Sequence, residues 1–452
     1  MCYLAIKSSK TILPDHVGKA VVIIKDGLIV DITDDFPAND NCQRIDIADK
    51  VLMAGIIDPH VHINEPGRTD WEGFDTATKA AIAGGITTLA DMPLNSSPVT
   101  TTANAFDKKM NATKNQLHTN CGFWGGIIPG NENDIEPLIE KGVLGFKAFL
   151  THSGIDEFPN VTEDDLRKAL PIIAKYNLPL LVHCELENGV KSQKPKVNIS
   201  YNDYLDSRPK KWEDDAIALM IRLCEEFNCR THIVHLSSAD SLEQIAKAKQ
   251  KGLPLTVETS QHYLYFNAEQ IEDACLAAGQ DKTQFKCAPP IRERQNNESL
   301  WNALKDGTID FVATDHSPAP PALKELPGGD FMKAWGGIAS LQFALPTLWT
   351  TAKKRDCTLN HIAKWLCENP SKLIGKQTSK GKIQKGFDAD LVIWDNENTF
   401  TVSEKMILHK HKITPYLDEK LTGVVEKTFL AGEEIFDNGN VIELNKGKLL
   451  LR

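Results

Sequence analysis

The stretch Gly55-Ile-Ile-Asp-Pro-His-Val-His-Ile63 decides the fold and carries the first candidate functional residues. It is a short run rich in β-branched residues, which predicts a strand. Residues two apart on a strand point the same way, so His60 and His62 face the same side of the sheet at the carboxyl end of this strand.

Seven further strand-like runs follow this stretch and alternate with longer segments of helical period. The eight predicted strands span residues 55–63, 86–92, 122–128, 144–150, 179–184, 231–236, 253–259 and 311–314. The predicted helices span residues 71–84, 100–115, 132–141, 162–176, 212–227, 238–251, 268–278 and 299–305. Strands that alternate with crossover helices form a parallel sheet, and eight such units predict an α/β fold with a closed (β/α)8 TIM-like barrel.

The two ends of the chain have a different pattern. Short strand-like runs at 20–24 and 28–32 flank Asp26-Gly27, a dipeptide typical of hairpin turns, and further short strands are predicted at 391–394, 423–430 and 434–436. We therefore predict that residues 1–52 and 379–452 form a small β-sandwich and that 53–378 form the barrel. Two long loops at the strand-end face, 188–209 and 318–329, are either passive insertions or substrate lids.

Composition excludes several classes of protein. The chain has 452 residues, 41% hydrophobic, and 51 Lys+Arg against 61 Asp+Glu give a net charge of −10. This is a globular composition without the clustered basic residues of a nucleic-acid binder. The longest apolar stretch, 51–57, is too short to span a bilayer, and ten cysteines without a Cys-x-x-Cys pair favour reduced thiols. We expect a cytoplasmic protein that acts on a small molecule, without a nucleic-acid or membrane partner.

Candidate metal ligands fall at the carboxyl ends of the predicted strands, the catalytic face of such barrels. A single histidine there is more often a hydrogen-bonded core residue, and Asp315 alone could cap a turn. Lys147 lies within a buried strand, where a bare ammonium is costly, so it must be neutralised, paired or modified. Imidazole and carboxylate groups that converge from separate strands favour zinc or a similar divalent ion. The candidates are His60, His62, Lys147, His183, His235 and Asp315.

Four blocks of this sequence resemble the binuclear-metal cyclic amidohydrolases. They are Gly55-Ile-Ile-Asp-Pro-His-Val-His62, Val234-His-Leu-Ser-Ser238, Ala313-Thr-Asp-His-Ser317 and Gly381-Lys-Ile-Gln-Lys-Gly-Phe-Asp-Ala-Asp-Leu391. This family includes dihydroorotases, dihydropyrimidinases (hydantoinases) and allantoinases. The resemblance implies two divalent ions, with zinc expected, bridged by a hydroxide and by Lys147 in its carboxylated form, N6-carboxylysine. It also implies a homotetramer.

Carried over to this chain, the family pattern assigns each ligand a place. His60, His62 and Asp315 would hold one metal, His183 and His235 would hold the other, and Lys147 would be shared. Asp315 would also be the catalytic acid-base, taking a proton from the attacking hydroxide and passing it to the leaving nitrogen. We expect His316 to support the ligands and His232 to serve in packing.

The substrate is indicated by loop residues, since the ligand set is common to the family. Dihydroorotases usually have Arg and hydantoinases usually have Asp where this chain has Asn64, and a neutral amide suits a substrate that lacks a carboxylate. The blocks resembling the allantoinase branch are Asn64-Glu-Pro-Gly-Arg-Thr-Asp-Trp-Glu-Gly73, Asp91-Met-Pro-Leu-Asn-Ser-Ser-Pro98, Lys286-Cys-Ala-Pro-Pro-Ile-Arg292, Trp335-Gly-Gly-Ile338 and His409-Lys-His-Lys-Ile-Thr-Pro-Tyr416. This implies hydrolysis of a C–N amide bond in the hydantoin ring of allantoin, giving allantoate.

Alternatives remain open at this point. The other ring hydrolases of the family are one alternative, and a catalytically silent scaffold with the same fold is a remote one. Side chains at the strand-end face are candidates for substrate binding, although turn chemistry explains most of them equally well. These candidates are Asn64, Asn95, His152, Ser153, Cys287, Ser317, Trp335 and Gly336.

Overall fold

The computed structural model describes residues 3–38, 42–187, 200–278, 282–442 and 445–452. The strands within these ranges are β1 Tyr3–Ile12, β2 Val17–Lys25, β3 Leu28–Thr33, β4 Cys42–Asp46, β5 Val51–Ala54, β6 Ile56–Val61, β7 Ile86–Asp91, β8 Asn120–Phe123, β9 Gly125–Gly126, β10 Phe146–Phe149, β11 Leu180–His183, β12 Thr231–Ile233, β13 Leu255–Ser260, β14 Phe311–Ala313, β15 Leu391–Thr401, β16 Lys420–Leu430, β17 Glu433–Asp437 and β18 Asn440–Val441. The helices are α1 Phe74–Ala83, α2 Ala103–Ala112, α3 Ile135–Lys141, α4 Glu163–Lys175, α5 Tyr201–Ser207, α6 Lys210–Phe227, α7 Leu242–Gln250, α8 Gln261–Tyr265, α9 Ala268–Ala278, α10 Arg294–Asp306, α11 Ala344–Lys353, α12 Leu359–Ala363 and α13 Asn369–Leu373.

Strands β6 to β14 form the predicted parallel barrel. They pair in chain order as β6-β7-β8 and as β9 through β14, and β8 and β9 are one barrel strand interrupted at Trp124. The last strand closes on the first through a parallel bridge between Val61 and His316, where the His62 N–H donates to the His316 carbonyl at 2.7 Å. The expected α/β barrel is therefore confirmed, and its seam lies beside two of the predicted ligands.

The outer helices follow from amphipathic spacing and capping, as α4 illustrates. Thr162 accepts a hydrogen bond from the Asp165 N–H, and the Asp165 carboxylate accepts one from the Thr162 N–H, which completes a capping box. The buried side chains of this helix recur at the spacing of a single face: Leu166, Ala169, Leu170 and Ile173. Such apolar faces pack against the barrel strands. Among the described residues, no helix is both long and apolar enough to cross a membrane.

A nine-stranded sheet drawn from both ends of the chain lies against the barrel and forms the sandwich-like part. Its order is β18-β17-β16-β15-β5-β1-β2-β3, with β4 paired to β1. The predicted hairpin turn is present, because Asp26 and Gly27 both adopt positive φ, 52° and 81°. The expected domain limits, 1–52, 53–378 and 379–452, stay a prediction, and β5 of this sheet crosses the first of them.

Candidate metal centre

The six predicted ligands lie around the carboxyl mouth of the barrel. His60 Nε2 and His62 Nε2 lie 3.2 Å and 3.5 Å from Asp315 Oδ1, and His183 Nδ1 lies 3.0 Å from His235 Nε2. The His60 and His235 rings join these two groups, with centroids 5.4 Å apart. His235 and Asp315 have positive φ, 37° and 47°, a strained conformation for such residues that is concentrated at functional sites.

A buried carboxylate, Glu258 on β13, orients His60. Glu258 Oε1 contacts His60 Nδ1, and Oε2 lies 3.0 Å from His232 Nε2. Burial alone would raise the pKa of Glu258, but His60 and His232 lower it to about 2, so the group is an anion that can only accept hydrogen bonds. His60 Nδ1 therefore faces an obligate hydrogen-bond acceptor, which turns Nε2 toward Asp315.

His232 takes part in the hydrogen bonds that orient His60 as well as in packing. Its Nδ1 lies 2.8 Å from Thr256 Oγ1, and its ring stacks on Phe311 at 5.2 Å between centroids. The expectation of a packing role was thus incomplete, because His232 also holds Glu258, which holds His60. The expected supporting role of His316 has a counterpart in its carbonyl contact with the His62 N–H.

A second buried carboxylate, Glu185, orients His183 in the same way. Glu185 Oε2 lies 2.7 Å from His183 Nε2, and both Glu185 oxygens contact the guanidinium of Arg208. Because the carboxylate accepts the Nε2 proton, the Nδ1 lone pair of His183 points to His235. Burial lowers the pKa of His183 and of His235, which favours the neutral imidazole, the form that binds metals.

Lys147 is buried without a conventional partner. Its side chain has no exposed surface, and its Nζ makes no hydrogen bond to any described residue. The nitrogen lies 4.9 Å from the centroid of the Phe149 ring, which in turn stacks on His183 at 4.6 Å. Burial lowers the pKa of Lys147 to about 8. The neutral, nucleophilic amine is therefore far more populated near neutral pH than in an exposed lysine.

Asp315 is the anionic centre of the cluster. Burial alone would raise the pKa of its carboxyl group, but His60, His62 and His235 hold that pKa well below its usual range. His60, His235 and Asp315 each offer a ligand atom within 4.8 Å of the others. Lys147 Nζ and His235 Nδ1 have no hydrogen-bond partner among the described residues, and together with these donors they fit a divalent metal of the kind that imidazole and carboxylate bind.

A cleft of about 410 Å³ opens above this cluster. The four histidines among the predicted metal ligands, together with Asp315, form its floor. Helix α5, which was not predicted from the sequence, contributes Tyr204 and Ser207 to the lining. Trp335 also lines the cleft, and its ring lies edge-on to that of Trp71 with centroids 4.7 Å apart. Six of the eight substrate-binding candidates line the cleft, namely Asn95, His152, Ser153, Ser317, Trp335 and Gly336.

Two substrate-binding candidates do not line the cleft. Asn64 is buried and its Nδ2 donates to the Pro318 carbonyl at 3.3 Å. Cys287 is buried and its carbonyl accepts from the Tyr204 hydroxyl at 2.6 Å, although the neighbouring Ala288 does reach the cleft. Ser153 lines the cleft, yet its hydroxyl donates locally to the Phe158 carbonyl at 2.6 Å, in keeping with turn chemistry.

Of the two predicted loops, the first supplies residues to the lining of this cleft, whereas no residue of 318–329 lies in that lining. Residues 188–199 of the first lie outside the described residues, while its remaining part contains α5 and Arg208. In the second, Lys324 Nζ donates to three backbone carbonyls, those of Lys286, Trp335 and Gly337, at 2.8–3.1 Å. The choice between passive insertion and lid stays open for both loops.

Sequence comparison agrees with this architecture and donor set. The sequence model of the amidohydrolase family matches residues 51–435, most of the chain.

The chain belongs to the amidohydrolase family.

Within the amidohydrolase family, the chain is similar to proteins named as allantoinases and to a hydantoinase structure. It is 43% identical to the allantoinase of Streptomyces avermitilis over 452 residues, covering 99% of this chain and 98% of that protein. It is 48% identical over 373 residues to a protein of Aquarana catesbeiana named "Allantoinase, mitochondrial", covering 82% and 75% of the two chains. The L-hydantoinase (dihydropyrimidinase) from Arthrobacter aurescens has a similar structure, with a TM-score of 0.94, 29% identity and full coverage of both chains.

Proposed function

We propose that this chain is an allantoinase, which opens the hydantoin ring of allantoin by hydrolysis to give allantoate. The observation that carries the proposal is the buried set of imidazole and carboxylate donors at the floor of the cleft, in a chain that resembles allantoinases from end to end. All six ligand positions keep a side chain that can bind metal, which argues against the silent scaffold.

The proposed ligands divide as the family pattern implies: His60, His62 and Asp315 on one ion, and His183 and His235 on the other. A pair of divalent ions, with zinc the expected metal, supplies Lewis-acid chemistry that acidifies water and polarises a carbonyl group. Glu258 and Glu185 contribute from outside the ligand set, since they fix the lone pairs of His60 and His183 toward the shared space.

Lys147 is proposed to act as its carbamate. The neutral amine attacks the carbon of carbon dioxide, an N–C bond forms, and one proton leaves to solvent. The product is N6-carboxylysine, an anion with two oxygens that can bridge two ions. The lowered pKa and the lack of a hydrogen-bond partner for Nζ among the described residues both support this modification.

Asp315 is the proposed catalytic acid-base. Its carboxylate is anionic, lies at the floor of the cleft and contacts His60 and His62. It accepts the proton of the attacking hydroxide, whose oxygen bonds to the carbonyl carbon, and delivers that proton to the ring nitrogen. The C–N amide bond of the ring breaks, the oxygen remains on the carbonyl carbon as part of a carboxylate, and the nitrogen leaves as an NH2 group.

The charges that line the cleft support a neutral ring as the substrate. Of the lysine and arginine side chains that line the cleft, Lys333 is largely exposed and lies 3.7 Å from Asp330 Oδ2, while Arg208 and Lys286 are bonded to protein groups. Arg208 contacts both oxygens of Glu185, and Lys286 Nζ donates to the carbonyls of Met332 and Ala334 at 3.1 Å and 2.6 Å. A dihydroorotate carboxylate would have to compete with these partners. The structural likeness to L-hydantoinase makes 5-substituted hydantoins the second candidate substrates.

A substrate panel measured alongside metal content tests the proposal. Zinc-loaded protein prepared with bicarbonate is expected to contain two metal ions per chain and to hydrolyse allantoin faster than hydantoin, dihydrouracil or dihydroorotate. A chelator should remove the activity, and zinc with bicarbonate should restore it. Asp315→Asn is the inactive control. Turnover of another ring in preference to allantoin would refute the substrate assignment, and activity that persists in metal-free protein would refute the mechanism.

A homotetrameric assembly and a cytoplasmic location are further proposals that follow from the family resemblance and the sequence. Size-exclusion chromatography with light scattering tests the first. Fractionation of cells tests the second, for which the mitochondrial name of the Aquarana catesbeiana relative offers a definite alternative.

A further inference from the structure

Arg208 links the cleft wall formed by α5 to the proposed metal ligand His183. It follows α5, the helix whose Tyr204 and Ser207 form one wall of the cleft. Its guanidinium donates to Glu185 Oε1 at 2.9 Å and also contacts Oε2, while Oε2 accepts from His183 Nε2 at 2.7 Å. A continuous chain of charge-assisted hydrogen bonds therefore runs from the cleft wall to a proposed metal ligand.

The geometry of this chain fixes His183. Glu185 has no exposed surface, so losing its cation would leave a buried carboxylate paired only with a neutral imidazole. Arg208 is itself held in place, because its backbone carbonyl accepts from Arg292 Nη1 at 2.7 Å. The planar fork of arginine grips both Glu185 oxygens, which sets the direction from which Glu185 meets the His183 ring.

We propose that Arg208 is a positioning residue that, through Glu185, couples the cleft wall of helix α5 to the orientation of His183 and so to metal binding. This inference rests on the proposed metal-dependent function but not on the identity of the substrate. Arg208 acts on the metal through two intermediaries, in contrast to a residue that contacts the ring itself. Movement of α5 when a substrate enters would thus be transmitted to one of the two metal positions.

The test measures metal binding without substrate. Arg208→Met, Arg208→Lys and Glu185→Gln are compared with wild type by chelator competition for Zn²⁺ and by the absorption spectrum of the Co²⁺-loaded protein. Arg222→Met is the matched control, since Arg222 grips Glu163 in the same two-pronged way, at 2.9 Å and 2.7 Å, on the surface of α6. Partners behind a metal ligand typically change metal affinity by about 10- to 100-fold.

Arg208→Met and Glu185→Gln are expected to weaken one of two Zn²⁺ sites by about 10- to 100-fold and to alter the Co²⁺ spectrum, while Arg222→Met stays within about twofold of wild type. Arg208→Lys keeps the charge but not the fork, so it should fall between, and it decides the matter if Arg208→Met does not fold. The proposal would be overturned if Arg208→Lys and Arg208→Met both kept two Zn²⁺ sites of wild-type affinity and an unchanged Co²⁺ spectrum. A raised KM in separate kinetic measurements would not rescue it. Because these measurements use no substrate, an error in the allantoin assignment leaves their outcome interpretable.

Discussion

Replacement of Lys147 by methionine is expected to stabilise the metal-free protein while it abolishes activity. The Lys147 ammonium is wholly buried and has no hydrogen-bond partner among the described residues. Methionine has a similar length, fits a buried strand and carries no charge to desolvate. The stability of the protein without metal or bicarbonate should therefore rise, whereas the bridging carbamate can no longer form.

The magnitude follows from the lowered pKa of Lys147. Burial lowers this pKa from 10.5 to about 8, and one pKa unit is worth ~1.4 kcal/mol, so the charged form destabilises the folded state by about 3 kcal/mol at pH 7. The folded state loses the proton first as the pH rises. The penalty is therefore complete below about pH 8, shrinks between pH 8 and 10.5, and is absent above that range. At pH 9.5 the expected gain from methionine falls to about 1.4 kcal/mol.

Urea unfolding of metal-free, bicarbonate-depleted protein at pH 7 and pH 9.5 measures this difference. Lys109→Met is the matched control, because Lys109 is equally buried but contacts Asp91 at 2.5 Å. Removing this lysine strands a buried carboxylate, so the control should lose about 3–5 kcal/mol.

Two results would contradict the reasoning on Lys147. The first is a Lys147→Met protein that is less stable than wild type at pH 7. The second is a gain in the free energy of unfolding that is equal at both pH values, since that would assign the effect to packing and not to charge.

Three other substitutions test the site. Lys147→Ala should abolish activity, and a short carboxylic acid should restore part of it by occupying the vacated bridge; residual activity without such rescue would argue against a bridging carbamate. Glu258→Gln should lower Zn²⁺ affinity and kcat/KM by about 10- to 100-fold, because His60 loses the group that orients it. Chelator competition and steady-state kinetics measure the two effects, and Glu243→Gln on the surface should change neither. Equal values for both variants would remove Glu258 from the mechanism. Trp335→Ala should raise KM for allantoin by about tenfold with little change in kcat, because the ring lines the cleft and is not one of the proposed metal ligands. A fall in kcat alone would assign Trp335 to the chemistry.

Most of the barrel could be predicted from the sequence because its strands and outer helices have distinct periods. Strand β7, for example, begins at Ile86 as predicted and ends one residue earlier. Helix α11 was missed although Leu345, Leu348 and Trp349 have helical spacing, because Pro346 and three threonines within the segment disfavour a helix. Strand β5 is buried throughout and was indistinguishable from the apolar run that continues into β6.

The metal ligands could be predicted because they occupy strand ends, but the groups that orient them could not be predicted so directly. Glu258 did leave a signal, since a charge inside a predicted buried strand poses the same problem as Lys147. Glu185 lies two residues after His183 and shares its side of the strand end. The pairing of Glu185 with Arg208 depends on how the segment around α5 returns to the barrel, and local sequence does not encode that path.

The pairing of β5 with β15 can form only late in synthesis. These strands adjoin in the sheet, Ala54 opposite Leu391, yet the whole barrel lies between them in the chain. At ribosomal speeds of about 5–20 residues per second, β5 is made roughly 20–70 seconds before β15. For that time the first half of the sheet has an open hydrogen-bonding edge, which only the last part of the chain can cover. A ribosome that stalls within the barrel therefore releases a chain with an exposed, apolar strand edge, the kind of surface that chaperones bind.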